Sequence, residues 1–264
     1  MAERRNQYVH ATIEKIIEHS ETMRSFVMDG LFDSKPGQFA MVWLPGIDEK
    51  PISLSGKNMV TVKKVGPFTE RLFEKAKGQY LDVRGPYGNS FPLMGFSTLI
   101  GGGCGIAPLF YFFTQSGMPG VSFVLAGKSK SDLIFLDDIL NMTEKQKGYA
   151  KSQIILATED GSYGKKGLAT DVDIPKPGGN YYLCGPEIMM QKVAEKIVRE
   201  GVSQDKIYLS MERYMKCAVG ICGNCSFSGY RVCADGPVFR YDLIKDLPHF
   251  SRAHRTRTGE LIQK

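Results

Sequence analysis

The apolar positions of this chain follow two rhythms. Up to about Leu93 they come in short runs, at 11–17, 38–44, 59–65 and 80–83, with Pro36-Gly37, Pro45-Gly46 and Gly85-Pro86 between or after them. Short strands at regular spacing, punctuated by residues that fix or free the backbone, predict a small antiparallel barrel. One helix is expected inside it at 69–77, where Leu72, Phe73 and Ala76 share a face. After Pro92 apolar strands alternate with helices. The run 97–100 leads into Gly101-Gly102-Gly103 and then 106–114; 121–126 precedes 132–140; 153–157 and 181–183 follow, the latter entering 187–200. A last strand is expected at 206–210. This alternation predicts a parallel sheet with helices covering its faces.

The expected fold class is therefore β plus α/β. An N-terminal antiparallel barrel occupies 1–94, a parallel α/β nucleotide-binding domain 95–210, and a small cysteine-bearing segment with a tail 211–264. A length of 264 residues agrees, since it exceeds the usual size of one compact domain. Hydrophobic residues at 42% and charged residues at 23% argue against a disordered or fibrous chain. No apolar run approaches the roughly 18 residues that cross a bilayer, and Met1–Gln7 lacks the apolar stretch of a signal peptide, so a cytoplasmic protein without a membrane partner is expected. The net charge of +6 is interleaved with acidic residues, which gives no nucleic-acid signal of weight. One basic cluster, Arg252, His254, Arg255 and Arg257, reads as a solvated tail or as a contact to a partner or anionic ligand.

Cysteine placement changes the picture. Cys104 and Cys184 stand alone, whereas Cys217, Cys222, Cys225 and Cys233 fall within seventeen residues. In a reducing compartment such a cluster reads as metal ligation before disulfides. The spacing Cys-x4-Cys-x2-Cys is that of plant-type [2Fe–2S] ferredoxins, and four thiolates are the required count. Gly220 and Gly223 lie between ligands, where a tight loop must turn amide N–H groups toward sulfur. Structural zinc on the same four cysteines is the alternative, and a Cys222–Cys225 dithiol pair a lesser one.

Three further motifs accompany the cysteines. Gly101-Gly102-Gly103-Cys104-Gly105-Ile106-Ala107-Pro108 follows a strand and opens a helix, so its backbone could approach a pyrophosphate; it is not Gly-x-Gly-x-x-Gly, and a purely structural turn is the other reading. Cys184-Gly185-Pro186-Glu187 ends another strand, either as a second ligand-facing turn or as a buried cysteine before an ordinary one. Lys50-Pro51-Ile52-Ser53, followed by Gly66-Pro67-Phe68-Thr69, offers a point charge and a hydroxyl on an extended segment, or simply an edge strand.

In this order the elements resemble the ferredoxin–NAD(P) reductase superfamily from about residue 8 to residue 245. Within it they are most similar to the iron–sulfur electron-transfer subunits of class B dihydroorotate dehydrogenases. Pro36-Gly37-Gln38-Phe39, Lys50–Ser53, Gly85-Pro86-Tyr87-Gly88, Gly101–Pro108, Thr158-Glu159-Asp160-Gly161-Ser162, Cys184-Gly185-Pro186 and Cys233-Ala234-Asp235-Gly236-Pro237-Val238-Phe239 carry the resemblance.

The resemblance implies FAD on the barrel. Lys50, which stands where the family has arginine, would meet the pyrophosphate, and Ser53 would lie near the flavin N5 with Pro51 and Ile52 between them. Thr61, Val62, Lys63, Phe68 and Thr69 would hold the isoalloxazine and phosphates. It implies a nicotinamide nucleotide between Gly101, Gly102, Gly103, Gly105, Pro108 and Cys184, Gly185, Pro186, and a [2Fe–2S] cluster on Cys217, Cys222, Cys225 and Cys233. No side chain need act as acid or base. The implied partner is an FMN-containing dihydroorotate dehydrogenase catalytic subunit, in a heterotetramer of two of each. Shorter loops before the last cysteine, as between Cys225 and Cys233, also occur in gamma subunits of cytoplasmic hydrogenases and in reductase subunits of sulfite reductases; with bifurcating transhydrogenases these are the alternative assignments. Lys128, Ser129 and Lys130 could accept an adenosine 2′-phosphate, while the resemblance points to NADH.

Overall fold

Six strands close the N-terminal half of the chain into a barrel: β1 (Val9–Ser20), β2 (Met23–Met28), β3 (Phe39–Leu44), β4 (Asp48–Gly56), β5 (Met59–Lys63) and β6 (Tyr80–Tyr87). Their order is β1-β2-β5-β4-β3-β6, and every pairing is antiparallel, including β6 back onto β1. The computed structural model describes residues 6–30, 33–116, 120–145, 152–176, 178–256 and 258–263. Ile13, Phe26, Ala40, Val42, Leu54, Val60, Leu81 and Val83 fill the barrel, inward side chains of strands whose alternate positions point out.

The helix beside the barrel, α1 (Pro67–Phe73), starts two residues before the expected one and ends four sooner. The hydroxyl of Thr69 accepts the amides of Val65 at 2.8 Å and Gly66 at 3.0 Å, so the first turn is capped around Gly66 with proline at its first position. Beyond Phe73 the chain tightens toward Gly78, whose φ of +85° is a helix-ending conformation.

The second half forms a seven-stranded sheet, ordered β10-β9-β8-β7-β11-β12-β15, in which β15 is Val238–Arg240. β7 (Thr98–Gly102), β8 (Ser122–Gly127), β9 (Ile154–Thr158), β10 (Lys165–Lys166), β11 (Tyr181–Cys184) and β12 (Ile207–Ser210) run parallel. Alternation along β7 sends Leu99 to one core, with Phe112, Phe113 and Phe123, and Ile100 to the other, with Val193 and Ile197. α2 (Ile106–Ser116), α3 (Leu136–Lys145) and α4 (Glu187–Arg199) supply the helical layers. The order reverses between β7 and β11, which makes the ends of these two strands the switch point of the sheet, where ligands of open α/β folds collect.

The expected last strand is not the last. After the cysteines come the hairpin β13 (Ser226–Phe227) and β14 (Tyr230–Arg231), the turn α5 (Val232–Asp235), and then β15 (Val238–Arg240), which returns antiparallel to β12. α6 (Tyr241–Ile244) and a hairpin of β16 (Ala253–Arg255) and β17 (Leu261–Gln263) follow. Of the basic cluster, Arg257 lies outside the described residues, and Arg255 donates to the carbonyl of Gly259 at 2.8 Å. Among the described residues no helix is long and apolar enough to cross a membrane.

The two halves are joined by specific contacts. Tyr111 of α2 donates to the carbonyl of Ser34 at 2.8 Å, and Lys63 of β5 pairs with Asp132 at 3.1 Å. Asn89 holds the amide and the carbonyl of Val238, at 2.9 and 2.8 Å.

Candidate functional site

The cysteine loop lies between the barrel and the sheet edge. Its four sulfurs meet in twos. Cys225 and Cys233 Sγ are 3.3 Å apart, while Cys217 Sγ receives the amide of Cys222 at 3.4 Å and faces the Cys222 thiol. The amides of Gly220 and Cys233 point at Cys233 and Cys225 Sγ, at 3.2 and 3.5 Å. Gly220 and Gly223 adopt φ of +78° and +72°, the left-handed turns that aim these amides inward.

The loop favours the thiolate at Cys217 and Cys225. Burial alone would raise the Cys217 thiol, but the amides of Cys222, Val219 and Ile221, with the Cys222 thiol, outweigh it and bring it down to about 7. The adjacent Cys233 thiol, against burial, holds Cys225 down at about 6. Cys233 is pushed up by Cys225 and by burial. Two pairs of sulfurs fit a two-iron centre with two thiolates on each iron.

The glycine turns meet across the switch point, where Gly101 stands opposite Cys184. A Cβ on Gly105 would stand 2.6 Å from the amide nitrogen of Gly185 and closer still to the Cys184 carbonyl; one on Gly101 would meet Ile106 at 2.9 Å, and one on Gly102 the Met189 sulfur at 2.6 Å. All three answer to packing, Gly101 and Gly105 against backbone and Gly102 against the flexible end of Met189. Gly103 differs: its φ is +54° and nothing lies within 4 Å of its Cβ position, so it faces open space. Pro108 is buried in the first turn of α2. Pro186 precedes α4, and Cys184 is buried with its thiol raised by that burial. Cys104 donates to the Thr61 carbonyl at 3.6 Å, and burial pushes its thiol up to about 12. Both lone cysteines are neutral thiols at ordinary pH, which gives no nucleophile.

The barrel residues expected at the flavin lie along β4 and β5. Lys50 pairs with Asp48 at 2.8 Å and lies 4.7 Å from the centre of the Tyr214 ring. Pro51, Ile52 and Ser53 follow it and are partly exposed. The Thr61 hydroxyl is taken up internally, 2.7 Å from both Ser25 and Ser55, and Val62 packs in the barrel core. These two can therefore offer a ligand little but backbone. Lys63 serves the ion pair to Asp132, Phe68 is buried, and Thr69 is the helix cap. Through Cys104 and Thr61 the glycine turn touches β5, and through Tyr214 and Lys50 the cysteine segment touches β4. The three expected binding regions are thus neighbours.

A family model for the iron–sulfur cluster binding domain of dihydroorotate dehydrogenase B matches residues 212–245, and one for an oxidoreductase NAD-binding domain matches 99–195. The chain is 41% identical over 253 residues, 95% of its own length and 96% of the relative's, to a probable dihydroorotate dehydrogenase B (NAD(+)), electron transfer subunit from Pyrococcus horikoshii. A protein of the same description from Methanocaldococcus jannaschii is 40% identical over 259 residues, 95% of this chain and 96% of that one. This chain belongs to the family of dihydroorotate dehydrogenase B electron transfer subunits. Among solved structures, the NADH-dependent reduced ferredoxin-NADP oxidoreductase, described for flavin-based electron bifurcation, superposes with a TM-score of 0.73 at 26% identity, covering 90% of this chain and 92% of that one. The flavohem-like FAD/NAD binding domain of nitric oxide dioxygenase from Vibrio cholerae shares the fold, with a TM-score of 0.67 at 22% identity over 78% of this chain and 98% of that one.

In this member of the family, sequence reading missed the charged pairs that hold the cysteine segment. Arg213 forms a bidentate pair with Glu187, at 3.0 and 2.9 Å, and its guanidinium lies 4.6 Å from the centre of the Phe227 ring. Arg84 and Glu49 make a second fork, at 2.6 and 2.8 Å. Partners 26 and 35 positions apart leave no local pattern to detect.

Proposed function

We propose that this chain carries electrons between a nicotinamide nucleotide and the FMN of a separate dihydroorotate dehydrogenase catalytic subunit, in a cytoplasmic heterotetramer of two of each. FAD would lie on the barrel beside Lys50–Ser53, β5 and the start of α1, and the nucleotide at the crevice between Gly103 and Gly185. A [2Fe–2S] cluster would be held by Cys217, Cys222, Cys225 and Cys233. The observation that carries this reading is the pairing of the four sulfurs in a loop of inward amides, set next to both other regions. Bound flavin supplies the exchange between two-electron and one-electron carriers, which neither nicotinamide nor an iron–sulfur centre makes alone.

The chain's own residues bind and orient. Lys50 offers a single cation to a phosphate, already shared with Asp48, so it contributes as a point charge without the planar fork of an arginine. Gly103 leaves room for a close backbone approach, and the Gly103–Gly105 turn presents amides at the start of α2. The neutral thiols of Cys104 and Cys184 and the absence of any need for proton transfer by a side chain agree with a site that positions cofactors. The assay is elemental analysis and visible spectroscopy of anaerobically purified protein. About two irons per chain, with flavin absorption, is expected. Stoichiometric zinc without iron after reconstitution would overturn the reading, and capture of a partner without dihydroorotate oxidation would overturn the subunit assignment alone.

A further inference from the structure

Arg84, on β6, has a side chain only 10% exposed, yet all five of its N–H groups have acceptors. Nε donates to Glu49 Oε1 at 2.6 Å, and Nη2 to Glu49 Oε2 and to the Lys216 carbonyl, both at 2.8 Å. Nη1 donates to the Tyr87 hydroxyl at 3.1 Å and to the Cys217 carbonyl at 2.9 Å. Glu49 is held in turn by the Tyr8 hydroxyl at 2.8 Å. A barrel wall does not need a buried cation, since an apolar side chain of similar volume would serve its stability as well. Three of the five bonds anchor the guanidinium within the barrel. The other two leave it and end on consecutive carbonyls of the cysteine loop, the second belonging to Cys217 itself.

We propose that Arg84 is a positioning residue for the iron–sulfur centre. It pins the loop at its first ligand to the flavin-side barrel, and with Glu49 it keeps the field beside that ligand neutral. The inference rests on the assignment of Cys217–Cys233 as cluster ligands. A lysine could not replace it, because one ammonium cannot reach a carboxylate fork, a phenol and two carbonyls together. The two charges act on the centre in opposite senses. Reduction adds one electron to the centre. Loss of Arg84 leaves the Glu49 carboxylate unmatched beside the loop and opposes that electron; loss of the Glu49 charge leaves the guanidinium unmatched and favours it.

The test is a potentiometric titration, followed by electron paramagnetic resonance, of the reconstituted holoprotein and its variants. Arg84→Gln should weaken reduction of the cluster about tenfold and Glu49→Gln should strengthen it about tenfold, shifts of about 59 mV in opposite directions for a one-electron couple. The double variant should return toward the wild-type potential. Hydrogen exchange at the amides of 217–222 should quicken in Arg84→Gln and also in Arg84→Lys, which keeps the charge and loses the fork. Unchanged potentials in variants that retain iron, or shifts of the same sign in both single variants, would overturn the proposal, because simple loosening has no reason to change sign. If Arg84→Gln does not retain a cluster, Glu49→Gln decides: an upward shift supports the proposal and none overturns it. A wild-type protein without iron would be a failure of the cluster assignment itself, recognised before any variant is titrated.

Discussion

Gly103 and Gly105, two positions apart in one turn, should respond to alanine in different ways. A Cβ at Gly105 would stand 2.6 Å from the Gly185 nitrogen, against the 3.4 Å at which ordinary contact begins, so the turns after β7 and β11 would have to separate by close to 1 Å. The atoms in the way are backbone, and β7 and β11 are tied by a parallel register from Thr98 to Gly101, so the strain cannot be relieved by rotating a side chain. Overpacking of this kind costs about 1–3 kcal/mol, and rigid backbone places Gly105→Ala near the top of that range, at about 3 kcal/mol. Gly103→Ala meets nothing within 4 Å and bears only the left-handed backbone penalty at φ +54°, about 1–2 kcal/mol. Its methyl group would meet no protein atom, and in the proposed reading it would stand on the nucleotide side. Denaturant titration and the Michaelis constant for NADH with a dye acceptor separate the two. Gly105→Ala should lose more stability, while Gly103→Ala should stay folded and raise the NADH constant several-fold. Equal stability losses, or a Gly103→Ala protein with an unaltered NADH constant, would refute the assignment of Gly103 to the ligand side and Gly105 to packing.

Arg213→Met should cost about 3 kcal/mol in denaturant titration, the lower end for breaking a buried pair, because Glu187, with a side chain only 9% exposed, loses the guanidinium fork while keeping the Ser251 amide. His19, 2.7 Å from Ser25 and lowered chiefly by burial, against the pull of Asp138 and Glu18, should confer a stability that is present above its unfolded value of about 6.5 and lost as pH falls through the folded one. His19→Gln should flatten the dependence of the denaturation midpoint on pH below about 6.5. Cys225→Ser, which removes one sulfur of the 3.3 Å pair, should reduce iron content well below about two per chain while flavin absorbance persists.

Much of the architecture is legible from local chemistry. The turn residues mark the barrel, and the strand–helix alternation marks the sheet, because both rest on interactions between near neighbours. Lys50–Ser53 is legible as an extended segment, but the full span of β4 is set by its partner, since β3 pairs with it from Asp48 to Ser53. β2 has the pattern of a strand only when β1 and β5 are on either side of it. β15 is three residues long and follows a segment of turns, so no periodicity announces it. The glycines were visible as a ligand-type turn, but that three of them answer to packing and one to open space is a property of the Gly101–Cys184 apposition. The cysteine spacing carried the cluster, whereas the arginines that hold its loop are paired only by the topology.

Those arginines answer a mechanical need. Between Met211 and Gly236 the regular structure amounts to a hairpin of two-residue strands and one turn of helix, too little backbone pairing to hold a loop in place by itself. A relay of electrons requires fixed separations, so the rigidity has to come from outside the loop. Arg84 supplies it from the barrel at Lys216 and Cys217, and Arg213 supplies it from the α4 side at Glu187. Asn89 and β15 fasten the far end, the first through both backbone groups of Val238 and the second through its ladder to β12. Each fastening originates in a region that the proposed reading gives to flavin or nucleotide. The loop is therefore positioned against both regions, and in the proposed reading the Arg84–Glu49 pair, of little worth to stability against an apolar substitute, serves to set its place beside the flavin.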